Sequence, residues 1–453
     1  MQTYERFVFE AYRFDAKSAR IEMDYVLEGA GDGSGDVRFT ETLQLPRQGL
    51  KSRGIPRQLL HRALFALHLI GGVSYYKTCL PRSIVIRSGA LTEDQARFWT
   101  EVYENGLGEF FYRNDIDFTG LIRFPATAAE TPEPMHVKRD TQTVLCPIGG
   151  GKDSVVTIEL LKSAGVPAVL LRMNAHPLIT QAARTAGLPL LGIKRTMAPE
   201  LFSLNEQGAL NGHVPITAYL HFLGLVAAFL YGHGAVVFSN ERSANVGSLM
   251  FHGREINHQW SKSLTFERLF QEYVGRFITP DILAFSLLRP LSELAIVQRF
   301  ATHPQYFTCT TSCNTNWKLK TQSSRLKAGA IPWCGQCSKC AFAFAMLAAF
   351  LSAEQAASIV GSNLFESETL LPTYRQLLGI EGVKPFDCVG TPEETRAAFC
   401  LAHKRGDMEG SAAMRMFVAE ALPDITDPDA LVRACLVPNP DHAIPPDYST
   451  ILA

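Results

Sequence analysis

Between Tyr4 and Pro46, apolar and polar residues alternate in FVFEAYRF, ARIEMDYVLEG and VRFTETLQLP, the period-two signature of half-buried strands. Gly29 to Gly35 is rich in glycine and reads as a loop between two of them. The spacing turns helical at Leu59, Leu60, Ala63, Leu64, Leu67 and Leu69, and SYYKTCLPRSIVIRSG then runs into another strand. A second helix is predicted from Thr92 to about Tyr103. Gln95 stands three residues after Thr92, as a capping box requires, and Glu93 and Asp94 are acidic in the first turn. FPATAAETPEP, from Phe124 to Pro134, is dense in proline and small residues and predicts a linker.

From Thr141 onward, strand and helix patterns take turns. TVLCPI is followed by helical spacing at Val155, Ile158, Leu161 and Ala164, and VPAVLLRMN, LPLLGIKR and AVVFSN are further strands. Such alternation predicts an α/β fold, a doubly wound parallel sheet with its crevice at the carboxyl ends of the strands. Ile216 to Tyr231, the longest apolar segment, contains His221 and Gly224 and is shorter than a bilayer requires, so a buried helix is expected. AFAFAMLAAFLSAEQAASIV is helical and apolar, and Thr391 to His403 and Gly410 to Ala421 are amphipathic helices. The tail LVPNPDHAIPPDYSTILA holds too much proline for regular structure. The expected organisation is an N-terminal α+β domain over residues 1–124, available for substrate binding, and a linker over 125–139. A sheet domain over 140–350 and a helical C-terminal lobe and tail over 351–453 follow.

A chain of 453 residues is too long for one ordinary core. Its formal net charge of -1 argues against broad electrostatic binding to nucleic acid. Met1 to Tyr12 is interrupted by Glu5, Arg6 and Glu10 and lacks the apolar run of a secretory signal, so neither export nor a membrane partner is expected. Five of the ten cysteines fall between Cys309 and Cys340, a clustering that favours metal binding in a reducing cytoplasm.

The densest chemistry lies at TQTVLCPIGGGKDSVVTIELLKSAG, where three glycines join a strand to a helix. Gly149, Gly150 and Gly151 permit positive φ and close approach of a ligand, and the helix N-terminus beyond offers unpaired amides to a phosphate. Asp153 and Ser154 stand where they would cap the helix or hold magnesium. Cys146 and Asp153 occupy positions where a Walker A loop needs glycine and a hydroxyl residue, and Lys152 to Val155 lack the third glycine of a dinucleotide fingerprint. Two readings remain, a phosphate-binding loop of another kind and a tight βα turn without chemistry, and Gly-Gly-Gly-Lys-Asp-Ser is an odd way to build the second.

By the same topological rule, Arg172, Asn174, Ser239, Asn240, Glu241 and Arg242 should face the crevice. REINHQWSKS, Arg254 to Ser263, is crowded with functional side chains; its alternative is a solvated connection, on which Trp260 and His258 are poor choices. Tyr75, Tyr76, Lys77, Arg82 and Arg87 suit either a sugar or diphosphate site or a wet surface with two half-buried tyrosines. His213, His221 and His233 lie in or beside apolar runs and read as structural. Within CGQCSKC, Cys334, Cys337 and Cys340 give overlapping C-x-x-C steps, and Cys313 would complete a closed tetrahedral zinc site of structural type. A redox pair or an iron–sulfur cluster uses similar spacing. Cys309 is left over as a free thiol.

The glycine stretch resembles the SGGxDS loop of the PP-loop ATP pyrophosphatases, with Gly149 in place of the leading serine. Two branches of that superfamily join such a loop to a late cysteine cluster. One is the 7-cyano-7-deazaguanine synthase branch, whose members are typically much shorter. GGGKDS, SNERSAN, NHQWSKS and WCGQCSKC, with the length and an extra N-terminal domain, are more similar to the other, the ATP-dependent UDP-N-acetylmuramoyl-L-alanyl-L-glutamate epimerases of cell-wall synthesis. The resemblance implies inversion of the terminal L-glutamate of a UDP-sugar peptide through an acyl adenylate, with ATP and Mg2+ consumed as AMP and diphosphate form. It implies that Gly149 to Ser154 cradle phosphates, that Lys152 neutralises their charge, that Asp153 ligates magnesium, and that Asn174, Asn240 and Glu241 touch adenine or ribose. Arg242, His258 and Lys262 become candidates for the substrate carboxylates or for proton transfer, His258 as base, with Glu255 or Cys309 for the opposite face. The rival readings are amide or nitrile synthesis on the same ATP core and a nucleotide-binding zinc scaffold without turnover.

Overall fold

The computed structural model describes residues 4–29, 35–51, 54–128, 131–138, 140–316 and 331–452. Eleven strands lie among them: β1 Tyr4–Asp15, β2 Arg20–Gly29, β3 Val37–Gln44, β4 Ser83–Ile86, β5 Asp140–Pro147, β6 Ala168–Met173, β7 Leu190–Thr196, β8 His233–Phe238, β9 Leu249–Phe251, β10 Arg254–Ile256 and β11 Leu283–Ser286. Nine form one sheet in the order β11-β8-β5-β6-β7-β3-β2-β1-β4, and β9 and β10 make a separate hairpin. The five strands from β11 to β7 are mutually parallel, as the alternating pattern predicts.

Helices cover both faces of the parallel part, and the strand residues alternate between them. Leu145, Val236 and Phe238 point into a core shared with helices Arg57–Gly71, Glu93–Gly106, Ile216–Tyr231 and Leu264–Phe277. Val144, Cys146, Ala235 and Val237 point into a second core with helices Lys152–Ser163, Glu293–Phe300 and Ser338–Ala348. The chain runs outward from β5 through β6 to β7, then returns to lay β8 on the other side of β5. The ends of β5 and β8 therefore flank the topological switch point, where open α/β sheets bind ligands.

The sheet does not stop at β7. β3 pairs antiparallel with it at Thr42, Leu43 and Gln44, opposite Thr196, Arg195 and Lys194. The N-terminal strands thus extend the sheet and make it mixed, where the sequence suggests a separate α+β unit. Beside this seam, Glu41 is fully buried and accepts from both Arg195 and the hydroxyls of Tyr75 and Tyr219. Tyr75 and Tyr76 are core residues, Lys77 donates to Asn211 at 2.9 Å, and Arg87 pairs with Glu10 and Glu28. The basic-aromatic group accordingly offers no shared ligand face.

Three other expectations are adjusted. The proline-rich segment is a docked strap: Phe124 packs on Tyr103, and Val137 donates its amide to Asp281 at 2.5 Å. The long apolar helix after Cys340 breaks into Ser338–Ala348 and Ala353–Val360, because Ser352 caps the second with a Ser352–Gln355 capping box. The tail is anchored as well, with Asn439 N–H on the carbonyl of Pro290 and the Tyr448 ring 4.8 Å from that of Phe285. The Thr92–Gln95 capping box is present and its helix reaches Gly106. Residues 30–34 of the glycine-rich loop lie outside the described residues, as do 129, 130 and 139 of the linker. No helix among the described residues is long and apolar enough to cross a membrane.

Candidate active site

β5 ends at Pro147 and the helix starts at Lys152, so the chain reverses within the three glycines. Gly150 has φ of +80°, which side chains with a Cβ rarely adopt, and its carbonyl accepts from the amide of Thr311 at 2.9 Å. At Gly149 a Cβ would meet nothing within 4 Å, so that position faces open space. The helix cap is Gly151, and no side chain caps it. Ser154 donates back to the carbonyl of Gly151 at 3.1 Å, and Asp153 accepts from Lys152 at 2.5 Å, so neither takes up the first-turn amides. Those amides and the dipole behind them favour an anion.

The loop opens onto a cavity of about 380 Å³. Its walls include Lys152, Asp153 and Ser154, the Ser239, Asn240 and Glu241 that follow β8, and Lys262, Glu293, Thr311, Lys339 and Cys388. Lys152 bridges Asp153 and the buried Glu293. Burial works against its ammonium, yet those two carboxylates hold it protonated. Glu293 is pushed upward, first by burial and then by the nearby Asp153 and Glu241, with Lys152 opposing. Asp153, Glu241 and Glu293 thus share this wall, and Lys152 bridges two of them.

Several of the predicted site residues stand elsewhere. Asn174 adopts φ of +62° and accepts from the Arg195 amide at 2.7 Å, so it shapes a turn beside a different depression; Arg172 there donates to Thr180. Arg242 turns from the cavity and donates to the carbonyls of Cys435 and Val437, docking the C-terminal helix Pro428–Leu436. Glu255 accepts from Gly247 within the β9–β10 hairpin region, and Cys309 donates to Tyr306, both away from the cavity lining. His258 sits behind the wall, hydrogen-bonded through Nδ1 to Glu109 and also to Cys388. Burial would lower its pKa, but Cys388 and Glu109 raise it to about 9, so the ring is charged near neutrality and is not a free base. His213, read as structural, in fact packs 4.6 Å from the His258 ring and 3.4 Å from Glu109. Lys262 does line the cavity, its Nζ 3.4 Å from the sulfur of Cys388.

Sequence reasoning missed Cys388, Glu293 and Glu109, none of which sits in a conspicuous local motif, and passed over Lys339 between the cysteines of CGQCSKC. It also missed Arg289, which is fully buried. This guanidinium donates to the carbonyl of Glu241 at 2.7 Å, to that of Lys262 at 2.5 Å and to Glu267 at 2.8 Å. One side chain thereby fixes both SNERSAN and NHQWSKS. Asn257 on the carbonyl of Ala244, and Asn245 accepting from Leu264, add two further stitches.

The cysteine cluster abuts the same cavity. The sulfur atoms of Cys313, Cys334, Cys337 and Cys340 all lie within 4.8 Å of one another, with Cys337 and Cys340 3.5 Å apart. Four thiols at such separations, none in a disulfide, suit one tetrahedral thiophilic ion. The cluster belongs to the site's architecture: Thr311, two residues before Cys313, holds Gly150, and Lys339 lies inside the CSKC run.

Comparison with known proteins accords with this geometry. A model of the MurL N-terminal domain matches residues 1–287, and one of the MurL C-terminal domain matches residues 309–431. A protein of Xanthomonas oryzae pv. oryzae named UDP-N-acetyl-alpha-D-muramoyl-L-alanyl-L-glutamate epimerase is 37% identical over 451 residues, 98% of this chain and 97% of the relative. Proteins of the same name from a Micromonospora species and from Salinispora tropica are 36% and 35% identical, each over 100% of this chain and covering 99% and 96% of the relative. The chain belongs to the MurL family.

Proposed function

We propose that this chain is an isomerase that inverts the terminal L-glutamate of UDP-N-acetyl-alpha-D-muramoyl-L-alanyl-L-glutamate to D-glutamate, driven by cleavage of ATP to AMP and diphosphate. The single observation that carries the ATP half is the uncapped helix N-terminus at Gly151, opening with the charged Lys152 onto the cavity at the switch point. Full-length likeness to relatives with the epimerase name supports the substrate half.

The chemistry requires activation. A free carboxylate makes the adjacent Cα–H very weakly acidic, since deprotonation sets a second negative charge beside the first. Adenylation removes that charge and creates an electron sink, after which a side chain takes the proton and reprotonation from the other face inverts the centre. Gly149 to Ser154 would cradle the phosphates, with Lys152 neutralising developing charge and Asp153 holding Mg2+. Asn240 and Glu241 line the adjoining wall and suit the nucleoside. Lys262 suits a substrate carboxylate. The four cysteines would hold structural Zn2+, which would fix the segment at Thr311 and the helix bearing Lys339.

On this reading the parallel strands form a PP-loop ATPase core over residues 140–350, residues 1–124 contribute to substrate binding, and residues 351–453 close the site as a helical lobe. Ten reduced cysteines fit a cytoplasmic setting. Purified protein given substrate and Mg2+ with or without ATP, followed by acid hydrolysis and chiral separation of glutamate, tests the reading. D-glutamate formed only with ATP supports it, and unchanged L-glutamate under both conditions refutes it.

A further inference from the structure

We propose that Cys388 is a proton-transfer group at the glutamate Cα, its thiolate removing the Cα proton within the cavity that carries the glycine loop. This rests on the epimerase reading above. The Cα–H bond breaks, an S–H bond forms, and the electron pair passes into the activated carboxyl group as an enolate. A donor on the opposite face returns a proton to Cα.

The geometry is that of an activated sulfur rather than of a packing residue. Cys388 lines the cavity and is only half-buried, so substrate can reach it. Its loop is pinned by Asp387, which accepts from Asn314 at 2.5 Å and from Ser338, residues that neighbour the metal-site cysteines. The Lys262 ammonium lies 3.4 Å from the sulfur, and His258 hydrogen-bonds it as well. Behind His258 stands Glu109, itself held by Arg113 at 2.5 Å. Sulfur, imidazole and carboxylate thus follow one another in the order that activates a thiol, with a lysine added.

The other groups facing Cys388 are Lys339 and Lys384. Burial would raise its pKa, but Lys262, the His258 hydrogen bond and Lys339 bring it to about 6. Cys146, which lacks such neighbours, is pushed up to about 12 by burial. Among the described residues, Cys388 is the cysteine that combines access to the cavity with cations around the sulfur.

Cys388→Ser and Cys388→Ala are to be compared with the wild type for substrate-dependent AMP release and for deuterium entering Cα in deuterated water. Melting temperature and metal content verify the fold. The expected result is that AMP release persists while Cα exchange falls by about 10²–10⁴-fold, the usual worth of a positioned acid or base. Exchange in both variants within a few-fold of wild type would overturn the proposal alone. So would loss of AMP release in a folded variant, since Cys388 would then act before the Cα step. AMP release by the wild type with no exchange at Cα would overturn the epimerase reading and this inference together.

A second measurement needs no variant. Iodoacetamide labelling followed by peptide mass mapping should modify Cys388 with a midpoint near pH 6 and be blocked by ATP plus substrate. Failure to label, or labelling indifferent to substrate, would also overturn it.

Discussion

Arg195 on β7 places Nε and Nη2 each 2.8 Å from the two carboxylate oxygens of Glu41 on β3. Glu41 is fully buried and Arg195 nearly so, and the pair sits where the antiparallel N-terminal strands join the parallel sheet. Removing one member of such a pair leaves an uncompensated charge. Arg195→Met should therefore cost about 3–5 kcal/mol in denaturant unfolding. Adding Glu41→Leu to the same chain should restore part of that loss. A single variant as stable as wild type would show that the seam does not depend on the pair.

That seam also marks what the sequence could convey. Period-two alternation identified β1 to β3 as strands, and period 3.6 identified the helices that follow them, because each signal is local. The β3–β7 pairing joins residues 42 and 196 and leaves no local trace, so the N-terminal strands read as a domain of their own. The same holds at the site. GGGKDS and CGQCSKC were legible because glycines and thiols must be close in sequence to build a tight turn or a metal knuckle. Cys388 meets Lys262 across 126 residues, and Glu109 meets His258 across 149. Asn174 and Arg242 occupied promising positions, yet their side chains satisfy backbone groups instead.

Arg289 holds the carbonyls of Glu241 and Lys262 without lining the cavity. Arg289→Met should relax both segments and lower kcat/KM by about 10²-fold, the scale of a misplacement near 1 Å. It should also leave Glu267 buried and unpaired, lowering stability by about 3–5 kcal/mol. Steady-state kinetics with a denaturation curve check both effects. Full activity in the variant would mean that backbone packing alone positions the segments.

The four-cysteine cluster predicts one zinc ion per chain by elemental analysis of protein purified without chelators. Cys337→Ser or prolonged chelation should lower the melting temperature and, because Thr311 and Lys339 lie on the knuckle, depress activity as well. Metal-free protein with undiminished stability would exclude a structural ion.

The Glu109–His258 pair predicts a pH signature. Burial would raise Glu109, but the His258 hydrogen bond and charge bring it to about 2, below its ordinary 4.5. Its contribution is therefore present above pH 4.5 and fades as pH falls toward 2. His258 is raised from its ordinary 6.5 to about 9, so its contribution is whole below pH 6.5 and is lost as pH rises through 9. The stability difference between wild type and Glu109→Gln should be largest between pH 4.5 and 6.5 and shrink toward pH 9. A difference that does not change across this range would contradict the charged pair.

The central claim joins nucleotide cleavage to inversion at one carbon. Its most direct test follows AMP, diphosphate, glutamate configuration and Cα deuterium together, in deuterated water with ATP, Mg2+ and UDP-N-acetyl-alpha-D-muramoyl-L-alanyl-L-glutamate. The account predicts D-glutamate carrying deuterium at Cα, formed only with ATP and accompanied by AMP, with Lys152→Met losing both products. Inversion that proceeds without ATP, or AMP formed while Cα keeps its proton and its configuration, would contradict it.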